Sequence, residues 1–402
     1  MERRIVTTLT PVYGGYALAR TEELGVLFIR GALPGEEVEV RLGERKKDYA
    51  FADTIRVVSP SPYRVDPPCV YFGECGGCQL QHAAYLYQVE MKRGVLQEAF
   101  RRIGRADVVP ALAPPGPQFG YRHRGQFKTD GDGIGFFAEH SRRLVAVSRC
   151  PLMLGRISVT LPSLRGLGRI APGVSEVQVA TDGAQAVAWF PGVRYDRRIV
   201  DRIRGFISGA RFEDRSWGKE RISLELEGLS YNVSTGAFFQ ANWRMNGTLV
   251  RRMLEIVKGS PSGRLLDLYA GGGNFALPLS SRFGEVVAVE EDAGSFSDLR
   301  RNIRGNGIGN VRPVRARVEK FRPEGSFDVL VLDPPRAGLS VKALSLVRGV
   351  GAGAVCYVSC NPSTLARDVA NLADRYDLGL LQMFDFFPNT HHVEALAVLL
   401  LR

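Results

Sequence analysis

Short runs of alternating apolar and polar residues fill the first 58 residues of the chain. The apolar stretches are IVTTL, YALAR, GVLFI, EVEVRL and FADTIRVV, and turn-forming segments such as YGG, LPGE and GERKKD separate them. Alternation with a period of two residues between closely spaced turns is typical of β-strands. About five short strands favour closure into a small barrel. We therefore predict an N-terminal OB-like β-barrel over residues 1–58.

A proline-rich connector and a second β-rich region follow the predicted barrel. The connector SPSPYRVDPP is expected to be extended, because proline disfavours a helical conformation of the residue before it. A helix is predicted over about 85–103 and is a candidate to pack on the C-terminal domain. Strand patterns such as GQFKTD, GIGFFAE, EVQVATD and ERISLELEG come next. Residues 59–235 are therefore predicted to form a central, mainly β domain of the α+β class.

The pattern changes at about residue 236, where apolar strands alternate with amphipathic helices. A helix is predicted from about Trp243 to Lys258, and strand, loop and helix signals then alternate through LDLYAGGGNF, EVVAVEED, SFDVLVLDPPRAG, GAVCYVSCNP and VEALAVLLLR. This alternation predicts a mostly parallel sheet covered on both faces. We predict a multidomain protein in which residues 236–402 form a Rossmann-like α/β domain.

Composition and charge narrow the class of protein. The 402 residues are 45% hydrophobic and 24% charged, which is typical of soluble domains with substantial cores. The sequence contains neither an apolar run of about 18 residues nor a signal-peptide pattern, so we expect a cytoplasmic protein without membrane contact. The net charge of +11 favours a nucleic-acid partner, although many soluble proteins are simply basic.

The turn in LDLYAGGGNF suggests a site for a nucleoside-bearing cofactor. Gly271 and Gly273 let the backbone approach a ligand, and Asn274 stands where the following helix offers free N–H groups. Glu290 ends the next strand, a position suited to ribose hydroxyls. The spacing is not G-x-G-x-x-G, and a tight turn without a ligand would look similar. NAD and S-adenosylmethionine are both compatible with these residues.

The segment DPPRAGL favours S-adenosylmethionine over NAD. Asp333 ends a strand, two prolines stiffen the loop, and Arg336 follows. Such loops resemble those of methyltransferases that act on planar bases, whose amino-directed members carry an aromatic residue after the prolines. The arginine at this place therefore disfavours nitrogen methylation.

Cys360 ends the strand after that loop, at the sheet edge where α/β proteins place their chemistry. It could be an inert core thiol, half of a redox pair, a metal ligand or a nucleophile. A thiolate that adds to C6 of a pyrimidine would make the otherwise unreactive C5 nucleophilic. Cys356, inside the strand, fits an inert core thiol better than Cys360 does.

The segment FPNTHHVEALAVLLL offers a base just before the last strand. Adjacent His391 and His392 in extended chain are expected to point to opposite sides, which disfavours a two-histidine metal site. Glu394 is the best candidate for the base by position. A solvated glutamate at a strand end would nevertheless look the same.

Together these segments resemble the RNA m5U methyltransferase family, the S-adenosylmethionine-dependent uracil-C5 enzymes. The matching pieces are TGAFFQAN, LDLYAGGGNF, DPPRAGL, SCNPSTLARD and FPNTHHVE, in the family's order. The N-terminal segment FIRGALPGEEVEV resembles a TRAM domain. The resemblance implies Cys360 as nucleophile and Glu394 as base. It also implies a set of residues around the cofactor and the uracil, namely Gln240, Tyr269, Glu290 and Asp333. Phe238 and Arg336 are implied to lie near the uracil. Ala270 stands where many relatives have a cysteine that is not catalytic.

Four further cysteines form a separate group. Cys69, Cys75 and Cys78 follow the spacing C-x5-C-x2-C, and Cys150 lies far downstream. Without a secretion signal, metal binding outranks disulfide formation. The residues alone leave zinc and an iron–sulfur cluster open, with His82 as a weaker ligand candidate. The family resemblance implies a structural or RNA-positioning [4Fe–4S] cluster on all four cysteines.

The predicted function is methylation of one uridine at C5 in a structured RNA. We favour 23S ribosomal RNA, because cluster and TRAM-like barrel together are typical of those enzymes, and we expect a monomer. The first alternative is the T-loop uridine (uracil-54) of tRNA. A second is a non-catalytic RNA-binding iron–sulfur module. An RNA cytosine-C5 methyltransferase would need a second cysteine where Arg336 stands.

Overall fold

A computed structural model describes residues 3–257 and 263–402. The predicted helix end at Lys258 therefore lies outside the described residues, as do residues 1 and 2 of the predicted barrel. None of the described helices is long and apolar enough to cross a membrane.

Six strands form the N-terminal sheet, one more than predicted. They are β1 (Arg3–Thr7), β2 (Thr10–Val12), β3 (Tyr16–Thr21), β4 (Gly25–Arg30), β5 (Glu37–Arg45) and β6 (Tyr49–Ser59). Their order is β1-β5-β6-β4-β3-β2, in which β4 and β6 are parallel and the other neighbours antiparallel. β1 also contacts β3, although three strands separate them in this order, so the sheet curls. Alternate residues such as Leu27, Ile29, Val38 and Val40 fill its interior.

A helix and a short strand from the predicted central region join the C-terminal domain. Helix α1 (Tyr85–Ala99) continues into a π-helical turn, Phe100–Gly104, and is followed by strand β7 (Ala111–Leu112). The apolar face of α1 lies in the same core as the C-terminal strands. A buried ion pair ties the helix down further, because Lys92 Nζ donates to Asp385 Oδ1 at 2.8 Å.

The central domain contains a seven-stranded sheet in the order β10-β9-β8-β11-β12-β13-β14. Its strands are β8 (Arg124–Thr129), β9 (Ile134–Phe137), β10 (Leu144–Ala146), β11 (Glu176–Thr181), β12 (Ala186–Trp189), β13 (Gly209–Arg211) and β14 (Ser216–Gly218). Helices α2 (Gly155–Leu164), α3 (Leu167–Ile170) and α4 (Arg197–Ile203) cover one face and share its core. A separate hairpin follows, β15 (Arg221–Leu226) and β16 (Leu229–Ser234).

An eight-stranded sheet organises the C-terminal domain. Its elements in chain order are α5 (Trp243–Ile256), β17 (Arg264–Leu268), α6 (Ala276–Leu279), β18 (Glu285–Glu290), α7 (Ala293–Gly305), β19 (Val311–Arg315), β20 (Val329–Leu332), α8 (Val341–Val350), β21 (Ala354–Ser359), α9 (Pro362–Leu372), β22 (Tyr376–Phe384) and β23 (Glu394–Leu401). The order is β19-β18-β17-β20-β21-β23-β22-β7, with only β23 antiparallel to its neighbours. Because the chain leaves β17 toward one edge and β20 toward the other, a crevice opens at their carboxyl ends.

The hairpin packs mainly against the C-terminal core, and it also touches strand β12 of the central sheet. Its buried side chains Ile222, Leu224, Tyr231 and Val233 lie in one cluster with Trp243. This places the packing boundary between the two domains nearer to the start of β15 than to the predicted 235/236.

Candidate active site

One cavity of about 670 Å³ lies in the crevice at the carboxyl ends of β17 and β20. Ten of the eleven residues predicted for catalysis, cofactor and uracil line it: Phe238, Gln240, Tyr269, Gly271, Asn274, Glu290, Asp333, Arg336, Cys360 and Glu394. Gly273 does not line it. That glycine has a φ of +95°, and a Cβ there would collide with Leu277, so it lets helix α6 pack closely against the turn.

The turn after β17 is strained and hydrogen-bonded to the next strand. Tyr269 has a φ of +66°, which a non-glycine residue adopts only when its surroundings enforce it. The Gly271 N–H donates to Glu290 Oε2 at 2.8 Å, and the Asp292 N–H donates to Oε1 at 2.7 Å. Burial raises the pKa of Glu290, while these N–H donors oppose the rise. The turn and the acidic strand end therefore form one unit, a cradle that suits a nucleoside.

Helix α5 orients Asn274 through a residue that the sequence did not single out. Asn246 and Asn274 exchange two hydrogen bonds through their amide groups, at 2.6 and 3.0 Å. Asn242 begins the helix by accepting from the Met245 N–H, and it donates to the Phe386 carbonyl at 2.9 Å. The segment TGAFFQAN thus places its last residue between α5 and the loop that precedes β23.

Two carboxyl groups meet in the cavity. Gln240 Nε2 donates to Asp333 Oδ2 at 3.4 Å, and burial raises the pKa of Asp333 to about 7. Glu394 begins β23 and is only 4% exposed, so it is not a solvated strand-end glutamate. Burial raises its pKa well above the usual range, Asp333 raises it further, and Arg336 opposes both.

Cys360 lies at the junction of β21 and α9, half-buried in the same cavity. Burial raises the thiol pKa to about 11, with Glu394 and Asp333 adding to the rise and Arg336 lowering it. Asn361 caps α9 by accepting from the Ser363 N–H at 3.1 Å, and it donates to the Arg336 carbonyl at 3.1 Å. The cap therefore fixes the Arg336 backbone relative to the thiol. Cys356, by contrast, is fully buried within the sheet.

The expectation that His391 and His392 point to opposite sides is wrong. Their ring centroids are 4.3 Å apart, because His391 lies in a bend before β23 and not in extended chain. Arg336 Nη2 lies 3.2 Å from His392 Nδ1, and since a guanidinium can only donate, that ring nitrogen accepts. Burial, together with His391 and Arg336, lowers the pKa of His392 to about 3, so the ring is neutral.

Several lining residues carry no strong local motif, among them Arg122, Asp298, Asn302 and Phe387. Asn302 Nδ2 donates to the Gly272 carbonyl at 3.0 Å and so supports the glycine turn after β17. Polar residues four positions apart on α7 were the one signal that could have indicated Asp298 and Asn302.

The remaining four predicted ligands converge elsewhere. Cys69, Cys75, Cys78 and Cys150 line one cavity of about 60 Å³, which His82 does not line. Burial raises the thiol pKa of three of them, that of Cys78 to about 12. Across residues 3–257 and 263–402, no three or more His, Cys, Asp or Glu side chains are arranged to hold a metal ion. A single zinc would hold all four sulfurs about 2.3 Å from one centre, whereas a four-iron cluster is a larger body. Both groups accept a donor set of four cysteines, so the residues of this cavity fit either one.

Comparisons with known proteins bear on both regions. A sequence profile described as tRNA (Uracil-5-)-methyltransferase matches residues 210–325 and 324–402, and a TRAM domain profile matches residues 5–55. The 23S rRNA (uracil(1939)-C(5))-methyltransferase RlmD of Alkalilimnicola ehrlichii is 34% identical over 96% of this chain and 93% of its own. The enzyme of the same name from Shewanella amazonensis is 35% identical, covering 93% and 90%. The crystal structure of Pyrococcus abyssi tRNA (uracil-54, C5)-methyltransferase with S-adenosyl-L-homocysteine superposes with a TM-score of 0.81 at 26% identity, covering 99% of both chains.

Proposed function

The chain belongs to the family of S-adenosylmethionine-dependent RNA (uracil-C5) methyltransferases, and from that membership we propose that it methylates C5 of one uridine in 23S ribosomal RNA. The observation that carries the proposal is the single cavity in which Cys360 and Glu394 face the glycine turn after β17. The choice of 23S rRNA is supported by relatives of that name, which are 34–35% identical over more than nine-tenths of this chain.

Cys360 is proposed to add to C6 of the uracil ring. The thiol must first lose its proton, and its pKa of about 11 leaves little thiolate at neutral pH. Arg336 is the cation in the cavity that favours the thiolate. Addition of the sulfur to C6 makes C5 an enolate-type nucleophile.

S-adenosylmethionine, when bound, supplies an electrophilic methyl group on a sulfonium. The residues proposed to hold it are Tyr269, the Gly271–Gly273 turn, Asn274 and Glu290, with Gln240 and Asp333 between cofactor and uracil. Phe238, a residue that is 59% exposed, is proposed to stack on the RNA base beside the cavity rim.

Glu394 is proposed to take the C5 proton after the methyl group has been transferred. Burial and the neighbouring Asp333 raise its pKa well above the usual range, which favours the protonated form until a ligand enters. A cationic ligand beside Asp333 would favour the ionised form of both carboxyl groups. Removal of the C5 proton then lets the bond between Cys360 sulfur and C6 break and releases the methylated uridine.

We also propose that Cys69, Cys75, Cys78 and Cys150 hold a [4Fe–4S] cluster. When bound, the cluster would supply a tie between the segment after the connector and the central sheet, and the methyl transfer needs no electron from it. Backbone contacts already join these regions, since the Gly76 N–H donates to the Phe137 carbonyl at 3.0 Å. A cytoplasmic, monomeric enzyme remains our expectation for an RNA-modifying protein of this kind.

The T-loop uridine of tRNA is the second candidate substrate. It is favoured by the superposition on the Pyrococcus abyssi enzyme, which extends over 99% of both chains. A purely RNA-binding role does not agree with membership in the enzyme family.

Methylation of separate RNAs tests the proposal. Anaerobically purified protein would be incubated with labelled S-adenosylmethionine and unmodified 23S rRNA or tRNA transcripts, followed by nucleoside analysis. We expect label in 5-methyluridine of 23S rRNA, none with Cys360→Ala, and retained label with Cys356→Ala as the matched thiol control. Label only in tRNA would move the assignment to the second candidate, and equal activity of Cys360→Ala would refute the thiolate mechanism.

A further inference from the structure

A loop of the N-terminal barrel contacts Arg336, one of the residues that line the methyltransferase cavity. The turn between β2 and β3 contains Gly14 and Gly15, with φ values of +99° and +82°. A Cβ on Gly15 would stand 2.5 Å from Gln79 Cβ and 3.4 Å from His391 Cβ, so this turn lies directly on the loop before β23. The preceding residue, Tyr13, extends from this contact toward Arg336.

Tyr13 contacts two residues of the catalytic loops. Its ring meets His391 edge-to-face, with centroids 5.4 Å apart, and its hydroxyl accepts a hydrogen bond from Arg336 Nη2 at 3.1 Å. The same nitrogen donates to His392 Nδ1 at 3.2 Å. Within the part of the chain that the structure describes, the Arg336 guanidinium forms no ion pair with a carboxylate. Its tip is therefore oriented by two neutral acceptors, one of which belongs to the barrel, and it also lies within hydrogen-bonding reach of the Cys360 sulfur.

The backbone of Arg336 is fixed independently of the barrel. Its carbonyl accepts from Asn361 Nδ2 at 3.1 Å and from Thr364 Oγ1 at 3.3 Å, both at the start of α9. The C-terminal domain thus fixes the backbone of Arg336, while Tyr13 and His392 fix the position of its guanidinium. An arginine side chain loses considerable rotamer freedom when it is held in one place, so each acceptor matters for its orientation.

We propose that Tyr13 of the N-terminal barrel is a positioning residue of the methyltransferase site, whose hydroxyl holds the Arg336 guanidinium beside the sulfur of Cys360. The inference rests on the proposed role of Cys360 as nucleophile. It gives the barrel a function beyond RNA binding, because the barrel then completes the electrostatic environment of the thiol. The groups that face this thiol are Glu394 and Asp333, which disfavour the thiolate, and Arg336, which favours it.

The test is the pH dependence of Cys360 alkylation in the full-length protein without RNA or cofactor. Iodoacetamide labelling of the Cys360 peptide would be followed by mass spectrometry for wild type and Tyr13→Phe, which keeps the ring on His391. We expect the midpoint of labelling to move up by roughly 0.5–1 pH unit, and single-turnover methylation near neutral pH to fall by roughly three- to tenfold. Affinity for RNA should stay unchanged. Tyr49→Phe, which removes a hydroxyl from the same barrel within its own aromatic cluster, serves as the matched control.

Repeating the Tyr13→Phe substitution in Arg336→Lys protein tests whether its effect depends on the Arg336 guanidinium. In Arg336→Lys protein, Tyr13→Phe should cause no additional shift of the labelling midpoint, because the guanidinium it positions is gone. A shift of equal size in that background, an unchanged midpoint in Tyr13→Phe alone, or a loss confined to RNA affinity would overturn the inference. Failure of the proposed function would instead show as wild-type protein that does not methylate RNA, and the alkylation result does not depend on it.

Discussion

At the scale of single residues, Asp333 is a buried carboxyl group whose ionised form a cationic ligand would favour. Its carboxyl group is enclosed at the end of β20, and the amide of Gln240 donates to it at 3.4 Å. Burial raises its pKa to about 7, whereas an exposed aspartate titrates near 3.9. Without a cation beside it, Asp333 therefore favours the protonated form below about pH 7, and a cationic cofactor must displace that proton.

We predict that S-adenosylmethionine binding weakens as pH falls through 7. A group with a raised pKa in the free protein and a cation partner in the complex must ionise on binding, so affinity falls by about tenfold per pH unit below the free-state pKa. Isothermal titration calorimetry between about pH 5.5 and 8.5 would measure this dependence. In Asp333→Asn, binding should be weaker throughout and its dependence near neutral pH flatter. A wild-type affinity that is constant across this range would contradict the prediction.

The residues whose location in the cavity could be predicted from sequence are those that stand at a strand end. Glu290 ends β18, Asp333 directly follows β20 and Cys360 directly follows β21, and parallel strands bring such residues to one edge of the sheet. The arrangement of His391 and His392 could not be predicted, because the alternation rule holds only for extended chain and a bend replaces it here. The burial of Glu394 likewise depends on the packing of loops far away in sequence.

At the scale of elements, side chains on α7 and at its end hydrogen-bond to strand β16 of the hairpin, where a neighbouring strand would otherwise pair. Asp298, Asn302 and Asn306 lie four residues apart, and each accepts a backbone N–H of β16, from Ser234, Asn232 and Ser230 respectively, at 2.8 Å. One face of a helix thus satisfies an edge strand that would otherwise need water or a partner. Because Asp298 and Asn302 also line the cavity, the hairpin is fixed to the proposed cofactor site.

We predict that Asn306→Ala destabilises the fold without weakening cofactor binding. The substitution removes the acceptor of the Ser230 N–H and the donor to the Ser230 carbonyl, and unsatisfied groups of this kind cost about 1–3 kcal/mol. Urea denaturation would measure the loss. Asn302→Ala is the informative comparison, because it also removes the bond to the Gly272 carbonyl and should weaken S-adenosylmethionine binding. Equal cofactor affinity in both variants would refute this division.

Sequence patterns predicted the type of most elements but not which core they join. The family assignment, the TRAM domain and the methyltransferase fold are confirmed by the comparisons. The hairpin β15–β16 reads as one more strand pair of the central region, yet it packs on α5 and α7. Strand β22 and helices α2 to α4 were not predicted. Hydrophobic periodicity predicts that one face of a strand or helix is buried. Which other element covers that face depends on tertiary packing.

At the scale of the whole molecule, residues far apart in sequence meet around one cavity. Arg122 of the central domain and Arg336 of the C-terminal domain line it, and Tyr13 of the barrel accepts a hydrogen bond from Arg336. Arg122 lines both the active-site cavity and the cavity of the four cysteines, so the two sites share a wall. A substitution that disturbs the packing around the cysteine cavity should therefore also affect Arg122 at the edge of the active-site cavity.

We predict that Cys150→Ser lowers the stability of the protein and its affinity for RNA but leaves its affinity for S-adenosylmethionine unchanged. Loss of one thiolate should reduce bound iron from about four ions per chain to a small fraction, because [4Fe–4S] clusters take four cysteine ligands. Metal-binding free energy contributes to folding, so the melting temperature should fall and the central region should hold RNA less well. S-adenosylmethionine affinity should persist, since the residues proposed to bind it lie on the C-terminal strands. Cys356→Ala, with a thiol buried in the sheet, should keep its iron. Full iron content in Cys150→Ser would exclude this cysteine as a ligand, and an equal loss in Cys356→Ala would show that the effect is one of general unfolding.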